Sequence, residues 1–186
     1  MSALLGLWLP ILLSAILVFF VSSLIHMVTP WHKADMLPVA NQSAVMAALR
    51  PFGLKPGDYL MPRPESTAQM RSAEFKALHR EGPVMLFTVL PSGQMGIGRQ
   101  LVGWLLYTIA ISVFAGYLAL TALPPGAAYL RVFQVTGTAA FLGYSGALWQ
   151  ASIWFRRSWG TTLRSTLDGL LFALLTAGMF GWLWPR

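Results

Sequence analysis

Long apolar stretches alternate with short polar ones along this chain, and a single extended polar region separates the first apolar stretch from the rest. Ala3 to Val28 carries no Asp, Glu, Lys or Arg. At about 1.5 Å per helical residue it is long enough to cross a hydrocarbon core of roughly 30 Å. Its length, and the lack of a basic start and of a small-residue cleavage site, predict a signal anchor rather than a cleaved leader. Gly6 and Pro10 predict a bend in its first turns. Leu101 to Leu123 is the second such stretch, closed by Pro124-Pro125-Gly126, which cannot continue a helix. The third runs from about Ala128 to Trp154 and the fourth from about Thr166 to Trp184. The expected fold is membrane all-α: four transmembrane helices with a small α+β insert between helices 1 and 2. Residues 1–30 form the first helix, 31–98 the insert and 99–186 the other three helices.

Within the insert, Val39 to Leu49 has helical periodicity, with Asn41 as its N-cap and Pro51 as its stop. Lys55-Pro56-Gly57-Asp58 places proline and glycine where a type II turn needs them. Ser66 and Gln69 have capping-box spacing and predict a helix to Arg80 or Glu81. Val84 to Leu90 is a short apolar run bounded by turn residues, which predicts a strand, with Asp58 to Met61 as its partner. The expectation is a compact module lying against the inner membrane face, joined to the second span through Gly93, Gly96 and Gly98.

Small residues recur every fourth position along the last two spans: Ala139, Gly143, Ala147 and Ala151, then Gly169, Ala173, Ala177 and Gly181. Such stripes let helix backbones approach closely, and in lipid this packing replaces the hydrophobic effect between helices. The pair is therefore expected to form a tight hairpin about the basic turn Phe155 to Gly160.

Composition agrees with a lipid environment: 56% of residues are apolar, only 10% are charged, and mean hydropathy is +0.61. The net charge of +7 would raise nucleic acid as a partner in a soluble protein. Here the basic residues flank apolar spans, so the expected partner is the bilayer and not nucleic acid. All thirteen Lys and Arg residues except Arg131 and Arg186 fall on one side of the predicted spans. The positive-inside rule then puts both termini outside and the insert in the cytoplasm. Lys33, Arg99, Arg156 and Arg157 are candidates for contact with lipid headgroups. Tryptophan and tyrosine mark the interfaces: Trp8, Tyr129, Trp182 and Trp184 at one, Trp31, Trp104, Trp154 and Trp159 at the other. Cysteine is absent, which removes disulfides and thiolate chemistry.

Candidate chemistry is sparse. Asp168 is the only acid inside a span, and an acid in lipid suggests proton relay or ion coordination. The plainer expectation is structural: Arg164 lies one turn earlier to pair with it, and the positive end of the helix dipole lies close by. Gln134 and Gln150, with several hydroxyls, make the third span the most polar, which suits interhelical hydrogen bonds or a permeation path. His26 and His32 straddle the end of the first span with Asp35 nearby. Zinc sites usually need at least three protein ligands at recognisable spacing, and none is visible, so these are expected to be polar caps and no metal or other cofactor is predicted. No nucleophile-elbow, P-loop or dinucleotide fingerprint occurs, so no catalytic residue is assigned.

The segments Ala44-Val45-Met46-Ala47-Ala48-Leu49, Lys55-Pro56-Gly57-Asp58-Tyr59, Ser152-Ile153-Trp154, Asp168-Gly169-Leu170 and Gly181 to Arg186 resemble an uncharacterised family of small bacterial four-helix inner-membrane proteins, a domain of unknown function. The resemblance implies a bacterial inner-membrane home and one complete unit, and it implies no activity. The expected function is a non-enzymatic scaffold or accessory subunit that packs against a protein partner or another copy of itself. A small oligomeric transporter using Asp168 and the polar third helix is the alternative, and a lipid-modifying membrane enzyme comes third.

Overall fold

In the computed structural model, which describes residues 2–93 and 96–185, the chain forms two compact units. One is Met1–Leu37 with Gly96–Arg186, and the other is Pro38–Met95. Arg186, used in the charge count, and residues 94–95 of the expected glycine connection lie outside the described residues. Trp31 to Leu37, expected in the insert, group with the long helices. In chain order the elements are α1 (Ser2–Leu5), α2 (Trp8–Met27), α3 (Gln42–Leu49), β1 (Gly57–Met61), α4 (Thr67–Arg71), α5 (Ala73–Glu81), β2 (Met85–Val89), α6 (Gly98–Ala122), α7 (Tyr129–Ser145), α8 (Leu148–Phe155) and α9 (Trp159–Trp182). Three of them, α2, α6 and α9, are long and apolar enough to cross a membrane.

The helical unit is a bundle in which α2 packs on α6 and α9, α6 on α7, and α7 most extensively on α9. Its buried positions follow the helical period. Ile11, Ser14, Ala15, Val18 and Ser22 face inward on α2, and Thr108, Ser112, Ala115, Gly116 and Ala119 on α6. Leu7, Val132, Phe180 and Trp184 close one end of the core, while Val18, Ala140, Tyr144, Phe172 and Ala173 fill the other. Trp184 is buried at that end of the core, its Nε1 donating to the Pro124 carbonyl at 3.1 Å. Small hydroxyls link the helices: Ser14 donates to Ser112 at 3.0 Å, and Trp104 Nε1 donates to Ser22 at 2.7 Å.

The α9 stripe Gly169, Ala173, Ala177 and Gly181 is the surface on which α7 lies. A Cβ at Gly137 would stand 3.0 Å from the Ala177 methyl, and one at Gly181 would stand 2.7 Å from the Tyr129 ring. At Gly169 it would collide with Ser145 Oγ and come within 3.2 Å of Tyr144 Cβ. The α7 side of the contact is displaced by one position from the expected stripe. Val132, Thr136, Ala140 and Tyr144 are buried, whereas Ala139 is half-buried on an outer groove and Gly143 meets Ile111 of α6. The third apolar stretch is also not continuous. It breaks at Gly146-Ala147, leaving Ala147 exposed and Ala151 half-buried. Glycine inside a helix costs about 1 kcal/mol relative to alanine, so a break there is cheap. Beyond it α8 is aimed at the start of α9, where Ser152 and Thr162 share a buried hydrogen bond of 2.7 Å. Helix α9 accordingly begins at Trp159, earlier than its apolar run suggests, and Arg156 caps α8 at φ 53°.

In the second unit β1 and β2 pair antiparallel, Gly57 opposite Val89 and Met61 opposite Met85. Ser66 caps α4 by accepting from Gln69 N at 3.1 Å, but Ser72 interrupts the helix and caps a new one, α5, by accepting from Phe75 N. Asn41 precedes α3 in the left-handed region with no side-chain cap bond. Among the described residues of this unit only Phe75 is buried, so the core expected of a compact module is very small. A two-stranded sheet with little apolar burial is marginal by itself.

Gly169→Val should lower the unfolding free energy in detergent by about 1–3 kcal/mol, because Tyr144 and Ser145 leave no room for the branch. Gly103→Ala, where an added Cβ meets nothing within 4 Å, should be neutral or slightly stabilising. Denaturant titration of both variants checks the contrast.

Candidate functional site

Helix α2 ends as Thr29 turns its hydroxyl back to the Ile25 carbonyl and Pro30 removes the next donor. Two consecutive turns follow, with Lys33 N donating to Pro30 O and Asp35 N to His32 O, each at 3.0 Å. They fold Trp31, His32 and Asp35 onto α9, where Arg164 and Asp168 share one helix face four residues apart. The sequence separation across these contacts exceeds a hundred residues.

The cluster is a continuous chain of hydrogen-bonded side chains. Arg164 holds Asp35 through Nε at 2.9 Å and through a terminal nitrogen on the same oxygen. The other Asp35 oxygen meets His32 Nδ1 at 2.6 Å, and His32 Nε2 meets Asp168 Oδ2 at 2.7 Å. Trp31 Nε1 donates to Asp168 Oδ1 at 3.1 Å. Asp168 is 7% exposed, so an unpartnered charge there would be costly, and both of its oxygens are taken. A neutral imidazole has one N–H, so His32 donates to both carboxylates only as the imidazolium. His26 stacks on His32 with ring centroids 4.3 Å apart and planes 11° from parallel, and its Nδ1 donates to the Ser22 carbonyl at 2.9 Å. Burial pushes the Asp35 carboxyl upward, but hydrogen bonds from His32, Arg164 and Thr161 and the Arg164 charge outweigh it and hold the group at about 2. An open groove of about 650 Å³ runs beside Asp168, walled by Ile25, Thr29, Trp31, Leu167 and Leu171.

Two expectations change here. Arg164 pairs with Asp35 rather than with Asp168, and Asp168 lies well inside α9 because that helix starts at Trp159, away from the positive end of its dipole. The partners of Asp168 are Trp31 and His32, and Asp35 joins the cluster through His32 and Arg164, a set that no local spacing reveals. The available signal was that all four residues fall at the same predicted interface. Gln134 and Gln150 are exposed, outside this cluster, on α7 and α8. Lys33, Arg99, Arg156 and Arg157 are exposed as well. Neither a protein-family model, nor a curated protein, nor a solved structure matches the chain.

The Asp35 tie has a defined pH window. A carboxyl held below its ordinary 3.8 stabilises the fold above that value, and the stabilisation is lost as pH falls toward about 2. Unfolding midpoints measured from pH 5 to pH 2 should therefore fall in the wild type, and Asp35→Asn should flatten the acid limb while lowering stability at neutral pH.

Proposed function

We propose that this chain is an integral protein of a bacterial inner membrane with four crossings, termini outside and the insert cytoplasmic, acting as a non-enzymatic scaffold or accessory subunit. Four crossings are supported by the placement of α7, which spans the bundle with Tyr129 against Gly181 at one end and Ser145 against Gly169 at the other. Two of its neighbours, α6 and α9, meet the length and hydropathy needed to cross. The orientation rests on the Lys and Arg count.

The observation that carries the scaffold reading is the outer face of α6 and α7. A groove of about 500 Å³ is lined there by Leu118, Ala122, Ala139 and Leu142 together with Arg131, Gln134 and Thr138. Gln134 and Thr138 are exposed one helical turn apart. An amide facing acyl chains has no partner for its hydrogen-bonding groups, whereas a transmembrane helix seated in the groove supplies one, at about 0.6 kcal/mol per bond. The occupant is therefore a partner's transmembrane helix carrying a hydrogen-bonding side chain. The transport reading has less support from the α7 polar groups: Thr136 bonds its own helix at Val132 O, and Gln134 and Thr138 are exposed.

A photo-crosslinker at Thr138 in membranes should capture one defined polypeptide, and Gln134→Leu should cut the yield several-fold. A crosslinker at Phe20, exposed on α2, should capture none. Equal capture from both sites, or no effect of Gln134→Leu, would overturn the scaffold reading, and an adduct containing only a second copy of this chain would replace the partner by self-association.

A further inference from the structure

We propose that His26, His32 and Asp168 form a binding site for a divalent transition-metal cation of the Zn²⁺ class. The proposal goes beyond the scaffold reading and does not depend on it. One ligand atom from each residue lies within 4.8 Å of the others. The third ligand, absent from any local spacing, comes from α9, which explains why no zinc signature is visible along the chain.

Each ligand has its other polar atom already held. His32 gives Nδ1–H to Asp35 at 2.6 Å, and Asp35 is in turn fixed by Arg164. His26 gives Nδ1–H to the Ser22 carbonyl at 2.9 Å, so its Nε2 carries the free lone pair. Asp168 receives Trp31 Nε1–H on Oδ1, which leaves Oδ2 directed at His32 Nε2. Outer partners of this kind fix ring tautomer and orientation in metal centres, and a carboxylate behind a ligating histidine raises its basicity. Arg164 is committed to Asp35 and does not compete at Asp168.

Two imidazoles and one carboxylate suit Zn²⁺ and disfavour Ca²⁺ and Mg²⁺, which prefer oxygen donors. Ligand atoms about 2.1 Å from a tetrahedral ion stand roughly 3.4 Å apart. The 2.7 Å contact between His32 and Asp168 opens by less than an ångström as the ion replaces the proton between them. His26 is exposed and stacked nearly parallel on His32, so metal binding requires its ring to tilt until Nε2 faces the ion. Three protein ligands leave one position for water, and the groove beside Asp168 gives it a path.

The test is titration of the purified full chain in detergent, stripped with chelator, by Zn²⁺ in competition with a chromogenic chelator, with Mg²⁺ in parallel. One Zn²⁺ per chain should bind with micromolar or tighter affinity and raise the unfolding midpoint, as a ligand of the folded state must. His26→Phe keeps an aromatic ring on His32 and should weaken Zn²⁺ at least tenfold. Asp35→Asn should weaken it about 10–100-fold, as loss of an outer partner does. His79→Ala, in the other unit, should leave it unchanged. Failure of the wild type to bind Zn²⁺, an affinity for Mg²⁺ equal to that for Zn²⁺, unaltered Zn²⁺ affinity in His26→Phe, or loss of binding in His79→Ala would each overturn the assignment.

Discussion

A carboxylate buried in an apolar helix must be neutralised where it stands, and Asp168 imposes that requirement on the helical unit. Its partners cannot come from α9 itself, because Arg164 on the same face is committed to Asp35. They come from the turn after α2, whose Trp31 and His32 reach across to occupy both carboxylate oxygens. Breaking a buried charged pair costs about 3–5 kcal/mol, more than a typical interhelical hydrogen bond contributes, so this contact fixes how the end of α2 meets α9. Arg164 opposes Asp35 within the same group, and both Asp168 oxygens are met by ring nitrogens of the turn.

Packing supplies the rest of the alignment. The glycine and alanine stripe of α9 brings α7 close enough that Cβ atoms at Gly169 or Gly181 would clash with the opposing helix. Close approach along α7 and α9 holds Gly169 beside Tyr144 and Ser145, directly after Asp168 in sequence. The same residues that permit helix contact therefore set the height at which the acid sits. His26, the penultimate residue of α2, stacks on His32 and completes the convergence of two imidazoles and a carboxylate.

Much of the helical architecture is legible in the sequence because apolar length and proline punctuation act locally. The runs before Pro30 and before Pro124-Pro125 mark α2 and α6, and Pro83 and Pro91 bracket β2. The α9 stripe is readable as well, since small residues at a four-residue repeat have one structural use in a helix pair. What fails is phase and partnership. The displaced α7 face depends on where Ile111 and Tyr107 of α6 press on Gly143, which no single-helix pattern contains. The early start of α9 depends on Thr161 and Thr162 being covered, so polar residues at a helix beginning read as loop. The Asp168 cluster joins positions more than a hundred residues apart. Only the shared interface of Trp31, His32 and Asp168 hints at it.

Energetic coupling between His32 and Asp168 pins the turn after α2 to α9. A double-mutant cycle with His32→Gln, Asp168→Asn and the double variant, followed by denaturant unfolding in detergent, measures that coupling directly. The expected interaction between the two positions is about 1–3 kcal/mol, whereas effects that add to within about 0.5 kcal/mol would show that the turn is not held by this contact.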